Sequence, residues 1–248
     1  MSGEKTEALL TRQTDYSESS RVVRLFTRDF GMISAIAKGG RRLKGPFDAA
    51  LDLLAHSHIV FLRKSSGGLD ILTEAQLISR FTPNPKRIKT LYGGYYVAEL
   101  LNHFIEEHDP YPDLFDVAVR TLRDLSSDRR MDVVLLRFEL NTLRQLGHLP
   151  AFDECVRCRS TIESQTGPSA FWVSQGGLLC ANCRKPEYST SIIQPGTIVV
   201  MRHLAESSSL TDRLAVSPQQ RRELRGLTTS VISYLMGRRP KMARYLDL

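Results

Sequence analysis

Two short cysteine pairs constrain this chain more than any other feature. Cys155 and Cys158 form one C-x-x-C, Cys180 and Cys183 form a second, 21 residues separate the pairs, and no other cysteine occurs. A thiolate pair two residues apart can grip one zinc ion from a single tight turn. Two such turns supply the four sulfurs of a tetrahedral, closed, structural site. Two disulfides or a redox-active C-x-x-C are the alternatives. The use of every cysteine in metal-type spacing favours one structural zinc. Glu154–Cys158 and Cys180–Arg184 read as polar knuckles, and Ala170–Val173 with Gly176–Leu179 read as a hairpin that delivers the second pair. The only tryptophan, Trp172, is expected beside the metal.

Four cysteine ligands leave no open position for water, and no H-x-E precedes the first pair as it does in zinc deaminases. The chain also lacks G-x-S-x-G, H-E-x-x-H, G-x-G-x-x-G and the phosphate-binding G-x-x-x-x-G-K-[ST]. His103 and His108 are five apart, and none of the six histidines completes a metal motif. The expectation is a protein that is not an enzyme.

Residues 6–80 read as β. Ala8–Thr11 opens a strand, Arg21–Thr27 and Met32–Ala37 flank a turn at Arg28–Gly31, and Ser57–Leu62 and Leu69–Thr73 flank Ser65–Gly68. Five short strands suit a small barrel or sandwich, of which the five-stranded oligonucleotide-binding barrel is one. Thr82–Pro85 breaks the pattern. Helical spacing follows, with Ile88, Leu91, Tyr92, Tyr95, Leu101 and Ile105 on one expected apolar face. A second helix runs through Leu114–Leu125, and a third from Val133 to Leu146 ends at Gly147. Beyond the cysteines, Gly196–Leu204 can form a helix. Ser217-Pro218-Gln219-Gln220 is a capping box that starts another, ended by Gly237. The fold class is α+β and multidomain: 1–81, 82–150, 151–191 for the zinc module, and 192–248.

Charge is placed unevenly. Lys/Arg against Asp/Glu run 12 to 9 over residues 1–80, 9 to 10 over 81–150, 4 to 4 over 151–191 and 9 to 4 over 192–248. The positive excess sits at the two ends, as a polyanion footprint would place it. Its densest segment is Ala37–Gly45, where Lys38, Arg41, Arg42 and Lys44 are interleaved with glycines and no acid. This reads as a mobile basic loop over a nucleic-acid backbone. A second cluster, Arg238, Arg239, Lys241 and Arg244, also complements the dipole of the preceding helix. The N-terminus has no apolar signal region, and no 18-residue apolar run occurs. A cytoplasmic protein with reduced thiols is expected.

The order of these parts resembles the bacterial RecO family of DNA repair and recombination mediators. The resemblance is carried by Asp15–Ser20, Leu25–Arg28, Gly31–Gly39, Leu146–Pro150 leading into Cys155-x-x-Cys158, and Ser233–Lys241. It implies an N-terminal OB-fold, a helical domain and an inserted zinc module held by four cysteines. It further implies binding of single- and double-stranded DNA and annealing of complementary strands. The implied partners are RecR, single-strand DNA-binding protein and, indirectly, RecA, which is loaded onto coated DNA. Of the DNA contacts, the resemblance carries Lys38, Arg41, Arg42 and Lys44. The net-acidic middle is a poor DNA surface and a better docking surface for protein. A sequence-reading zinc-ribbon transcription factor and a zinc-dependent nucleic-acid enzyme are the alternatives. The first lacks a recognition helix with base-reading side chains, and the second needs an open metal position.

Overall fold

A computed structural model describes residues 3–42, 47–64, 67–127, 129–162, 167–186, 188, 190–206 and 215–246. The chain divides into two compact units, Met1–Arg129 and Arg130–Leu248.

The first unit opens with β1 (Glu4–Asp15), β2 (Arg21–Thr27), β3 (Gly31–Ala37), β4 (His56–Leu62) and β5 (Asp70–Ser79). They close into a barrel in the order β1-β2-β3-β5-β4, antiparallel except where β3 meets β5. Alternation drives the closure: Ala8 and Leu10, Val23 and Leu25, and Ile33 and Ala35 point inward and pack with Ile59, Phe61 and Leu72. The β2–β3 turn needs a glycine. Gly31 has φ +67, and a Cβ there would lie 2.2 Å from the Asp109 carbonyl oxygen. Thr27 fixes the same turn by donating its hydroxyl to the Gly31 carbonyl at 2.7 Å.

Two helices cover part of the outer side of the barrel. Helix α1 (Ile88–Phe104) lies on β1, where Thr11 and Asn102 exchange hydrogen bonds of 2.9 and 3.0 Å. Helix α2 (Pro112–Leu125) sets Phe115 edge-on to Phe26 at 5.6 Å. Arg28 reaches across the same contact to Asp116 with two bonds of 3.1 and 3.0 Å, and that carboxylate raises its pKa. The buried face of α1 agrees with the apolar spacing at its C-terminal end, where Leu101 and Ile105 are buried, and departs from it nearer the start. Gly93, Gly94, Tyr96, Val97 and Leu100 are buried, whereas Ile88 is 56% exposed. The reason is Gly94, whose missing side chain admits Phe81; a Cβ would sit 2.4 Å from that ring.

The second unit holds α3 (Met131–Gln145), α4 (Pro195–Glu206) and α5 (Pro218–Met236), together with β6 (Ala151–Cys155), β7 (Ser169–Trp172), β8 (Gly177–Leu179) and β9 (Thr190–Ile193). Residues 82–150 are thus shared between the units: α1 and α2 accompany the barrel, and α3 accompanies the cysteines. Residues 133–143 of α3 are all buried, so it is the central helix, packed by α4 and α5. Inside that packing Glu139, fully buried, accepts from Arg225 at 2.6 Å, and Arg225 also donates to the Asp132 carbonyl. The capping box is present as the sequence predicts: Ser217 accepts from the Gln220 amide at 3.2 Å, and Gln220 accepts from the Ser217 amide at 2.9 Å. Gly237 closes α5 at φ +66. Glu223 accepts from the Gln194 amide and the Thr197 hydroxyl, which ties α5 to the start of α4. The short strands form one sheet, β6-β8-β7-β9, with the β7–β8 hairpin in the predicted place.

Candidate metal centre and nucleic-acid interface

The four cysteines converge. Their Sγ atoms all lie within 4.8 Å of one another, and Cys158 and Cys180 are 3.7 Å apart. A tetrahedral zinc with bonds of ~2.3 Å sets its sulfurs about 3.8 Å apart, so this donor set fits the ion. Local hydrogen bonds shape both knuckles. Cys155 ends β6, donates its amide to the Ser160 carbonyl at 2.8 Å, and accepts from the Arg159 amide at 2.9 Å. Arg159 takes φ +63 to close that turn. Cys180 receives the amides of Cys183 and Arg184 at 3.1 and 3.2 Å, and its own amide points at Cys155 Sγ at 3.4 Å. The parallel approach of β6 and β8 depends on Gly177, where a Cβ would lie 2.2 Å from Val156 Cγ1.

The thiols share charge unequally. Cys158 is brought down to about 6 by the Ser160 hydroxyl and amide and by neighbouring thiols. Cys183 is pushed up to about 12, first by its hydrogen bond with Cys158 and then by burial. Cys155 is lowered: burial opposes its ionisation, but the amides of Cys180, Cys158 and Arg157 outweigh it. Four thiols this close cannot all ionise unaided, and a divalent cation at their centre removes the conflict. Cys155 and Cys180 are buried, Cys183 is half-buried and Cys158 is exposed. Trp172 stacks on Tyr188 at 4.2 Å, and Arg157 donates to the Tyr188 hydroxyl at 2.9 Å. Among the described residues the cysteines are the only group of three or more metal-type ligands.

The basic turn after β3 sits at one mouth of the barrel. Gly39 has φ +80, and Gly40 packs against Ala37 and Leu51, so both glycines serve the turn itself. Lys38, Arg41 and Arg42 are exposed; Lys44 lies outside the described residues. Arg41 differs from its neighbours. Its amide donates to the Ser19 carbonyl at 3.1 Å, its Nη1 to the Ser17 carbonyl at 2.9 Å, and its Nε lies 3.6 Å from Asp15. Residues 38–42 are therefore pinned to the β1–β2 loop, where the composition suggests a mobile segment. Lys38 and Arg42 make no ion pair among the described residues. In the second unit, Arg238, Arg239, Lys241 and Arg244 are all exposed just beyond α5, and Arg244 lies over the Tyr245 ring at 4.9 Å.

Two further cations are invisible to sequence reasoning. Register places Arg12 of β1 directly opposite Arg24 of β2, with Arg12 exposed and Arg24 half-buried. Only the strand pairing, with its irregularity between Leu10 and Arg12, sets them side by side.

These parts define a two-unit protein in which a small closed barrel with a cationic mouth precedes a helical unit that carries a four-thiolate cluster. The family description Recombination protein O N terminal matches residues 1–81, and Recombination protein O C terminal matches residues 85–244. The DNA repair protein RecO of Rhodopirellula baltica is 34% identical over 96% of this chain and 97% of its own length. That of Dehalococcoides mccartyi is 28% identical over 98% and 94%, and that of Listeria monocytogenes 33% over 73% and 68%. The chain belongs to the RecO family of DNA repair proteins. No helix among the described residues is long and apolar enough to cross a membrane.

Proposed function

We propose that the chain is a recombination mediator without enzymatic activity. It binds single- and double-stranded DNA, anneals complementary strands and, with RecR, helps load RecA onto DNA coated by single-strand DNA-binding protein. The observation that carries this reading is the mouth of the barrel, where Lys38 and Arg42 stand exposed on a turn that Arg41 holds in place. Cations at such a turn neutralise phosphates and leave base edges free, which is what annealing requires. Lys44 and, in the second unit, Arg238, Arg239, Lys241 and Arg244 are the other proposed DNA contacts. Cys155, Cys158, Cys180 and Cys183 hold one zinc ion, whose closed thiolate shell serves the fold. The domain assignment is 1–81 for DNA binding, 82–150 as helical, 151–191 as the zinc module and 192–248 as C-terminal helices. The acidic middle of the chain is the docking surface for protein partners. A cytoplasmic setting keeps the thiols reduced.

The test is strand annealing. Two complementary labelled oligonucleotides, each coated by single-strand DNA-binding protein, should pair faster with the chain present than without it. The rate should fall as salt rises. No acceleration at any salt, or hydrolysis of the strands, would overturn this reading.

A further inference from the structure

We infer that the β1–β2 hairpin is a single-strand contact in which Tyr16 stacks on a base while Arg12 and Arg24 hold the backbone beside it. This rests on the DNA-binding reading above and gives that site a residue that distinguishes single strands from duplex.

Tyr16 is 64% exposed, whereas the other aromatics of the barrel strands pack against other rings or in the core. Phe26 and Phe61 are fully buried, and Phe30 packs edge-on to Phe61 at 5.4 Å. The Tyr16 side chain has no ring contact or hydrogen bond among the described residues. Its backbone, by contrast, is fixed. The Tyr16 and Ser17 amides both donate to the Ser20 carbonyl, at 3.0 and 3.3 Å, and Ser20 donates back to the Ser17 hydroxyl. On either side of the ring Arg41 binds Asp15 and Ser17, and Arg21 binds Asp15 at 3.2 Å. An aromatic ring held in water on a braced loop beside a guanidinium is a preorganised platform for an unpaired base.

The cations supply the second half. Like charges directly opposite across a ladder repel, so Arg12 facing Arg24 costs stability unless an anion lies between them. A phosphate over this pair would relieve the repulsion. Arg12 lies about 13 Å along the strand from Tyr16, which leaves a short run of backbone between the two contacts. Bases in a duplex are stacked on each other and offer Tyr16 no face, so its contribution is confined to single strands.

The experiment measures anisotropy of a labelled oligo-dT strand and of a hairpin duplex, at one salt concentration and then across a salt series, with the full chain. Tyr16→Ala should lose about 5- to 150-fold in affinity for the single strand, the range for one stacked base. Its affinity for duplex should be unchanged, and Tyr16→Phe should match the wild type on both. Arg12→Ala/Arg24→Ala should lower the single-strand salt slope by up to about 0.7 per lost contact without lowering the melting temperature. Tyr16→Ala with undiminished single-strand affinity, or with equal losses on single strand and duplex, would overturn the inference while leaving the DNA-binding reading intact. A wild type that binds neither probe would overturn both.

Discussion

Changing Lys38 and Arg42 together to alanine should flatten the salt dependence of DNA binding by an amount the structure fixes in advance. Both side chains are exposed, and neither makes an ion pair among the described residues, so each is available for one phosphate. On single strands each lost contact removes about 0.7 from the slope of log affinity against log salt, so the pair removes about 1.4. Between about 50 and 200 mM salt, a slope difference of about 1.4 means that the variant loses about sevenfold less affinity than the wild type. Arg41→Ala should behave otherwise. Its guanidinium already lies against Asp15 and the Ser17 carbonyl, so its slope change should stay below one contact while the β1–β2 loop loosens. Folding should be untouched in the double variant, because exposed substitutions of this kind shift stability by no more than about 0.5 kcal/mol. Anisotropy titrations of an oligo-dT strand at several salt concentrations measure all three slopes. A double variant with the wild-type slope, or an Arg41 variant with the largest change, would refute the assignment.

The cysteine cluster and the buried ion pair make separate predictions. Cys158→Ser should lose the proposed zinc ion, or bind it far more weakly, and lower the melting temperature, because structural zinc binding is coupled to folding; elemental analysis and thermal melts check this. Protons compete with the metal for thiolates, so zinc release to a chelator should quicken as pH falls, and release independent of pH would contradict thiolate ligation. Arg225→Met removes one charged donor from the fully buried Glu139 and should cost about 1.5–3 kcal/mol in denaturant unfolding of the second unit. Glu139→Leu/Arg225→Met should recover most of that loss, since replacing both members of a buried pair with apolar side chains is often neutral.

Much of this architecture is legible in the residues, and the parts that are not share a physical reason. The barrel strands announce themselves because an alternating pattern has only one side that can face a closed core, as Val23 and Leu25 on β2 show. The cysteine cluster is legible because C-x-x-C fixes two donors locally, before any tertiary contact exists. The helix faces are less so. In α1 the apolar count finds the buried Leu101 but also points to the exposed Ile88, while it passes over Gly94, which matters through the room it leaves for Phe81. The placement of α3 in the second unit is set by which helices cover it, a long-range fact that loop composition does not encode. At the proposed DNA contacts, composition finds the cations but not their states. Arg41 and Arg42 are neighbours in sequence. Arg41 is a staple because Asp15 arrives from a different strand end, while Arg42 has no ion pair among the described residues. Arg12 and Arg24 become a pair only through the register of β1 on β2.

The most direct test of the central claim, that the chain holds DNA by its backbone, is a set of binding isotherms. The wild-type chain should be titrated against several single strands of unrelated sequence and equal length across a salt series. The account predicts affinities that agree within a few fold among sequences and fall linearly on log–log axes, with a slope of about −0.7 per phosphate contact. An affinity that hardly changes with salt, or that singles out one sequence, would contradict it.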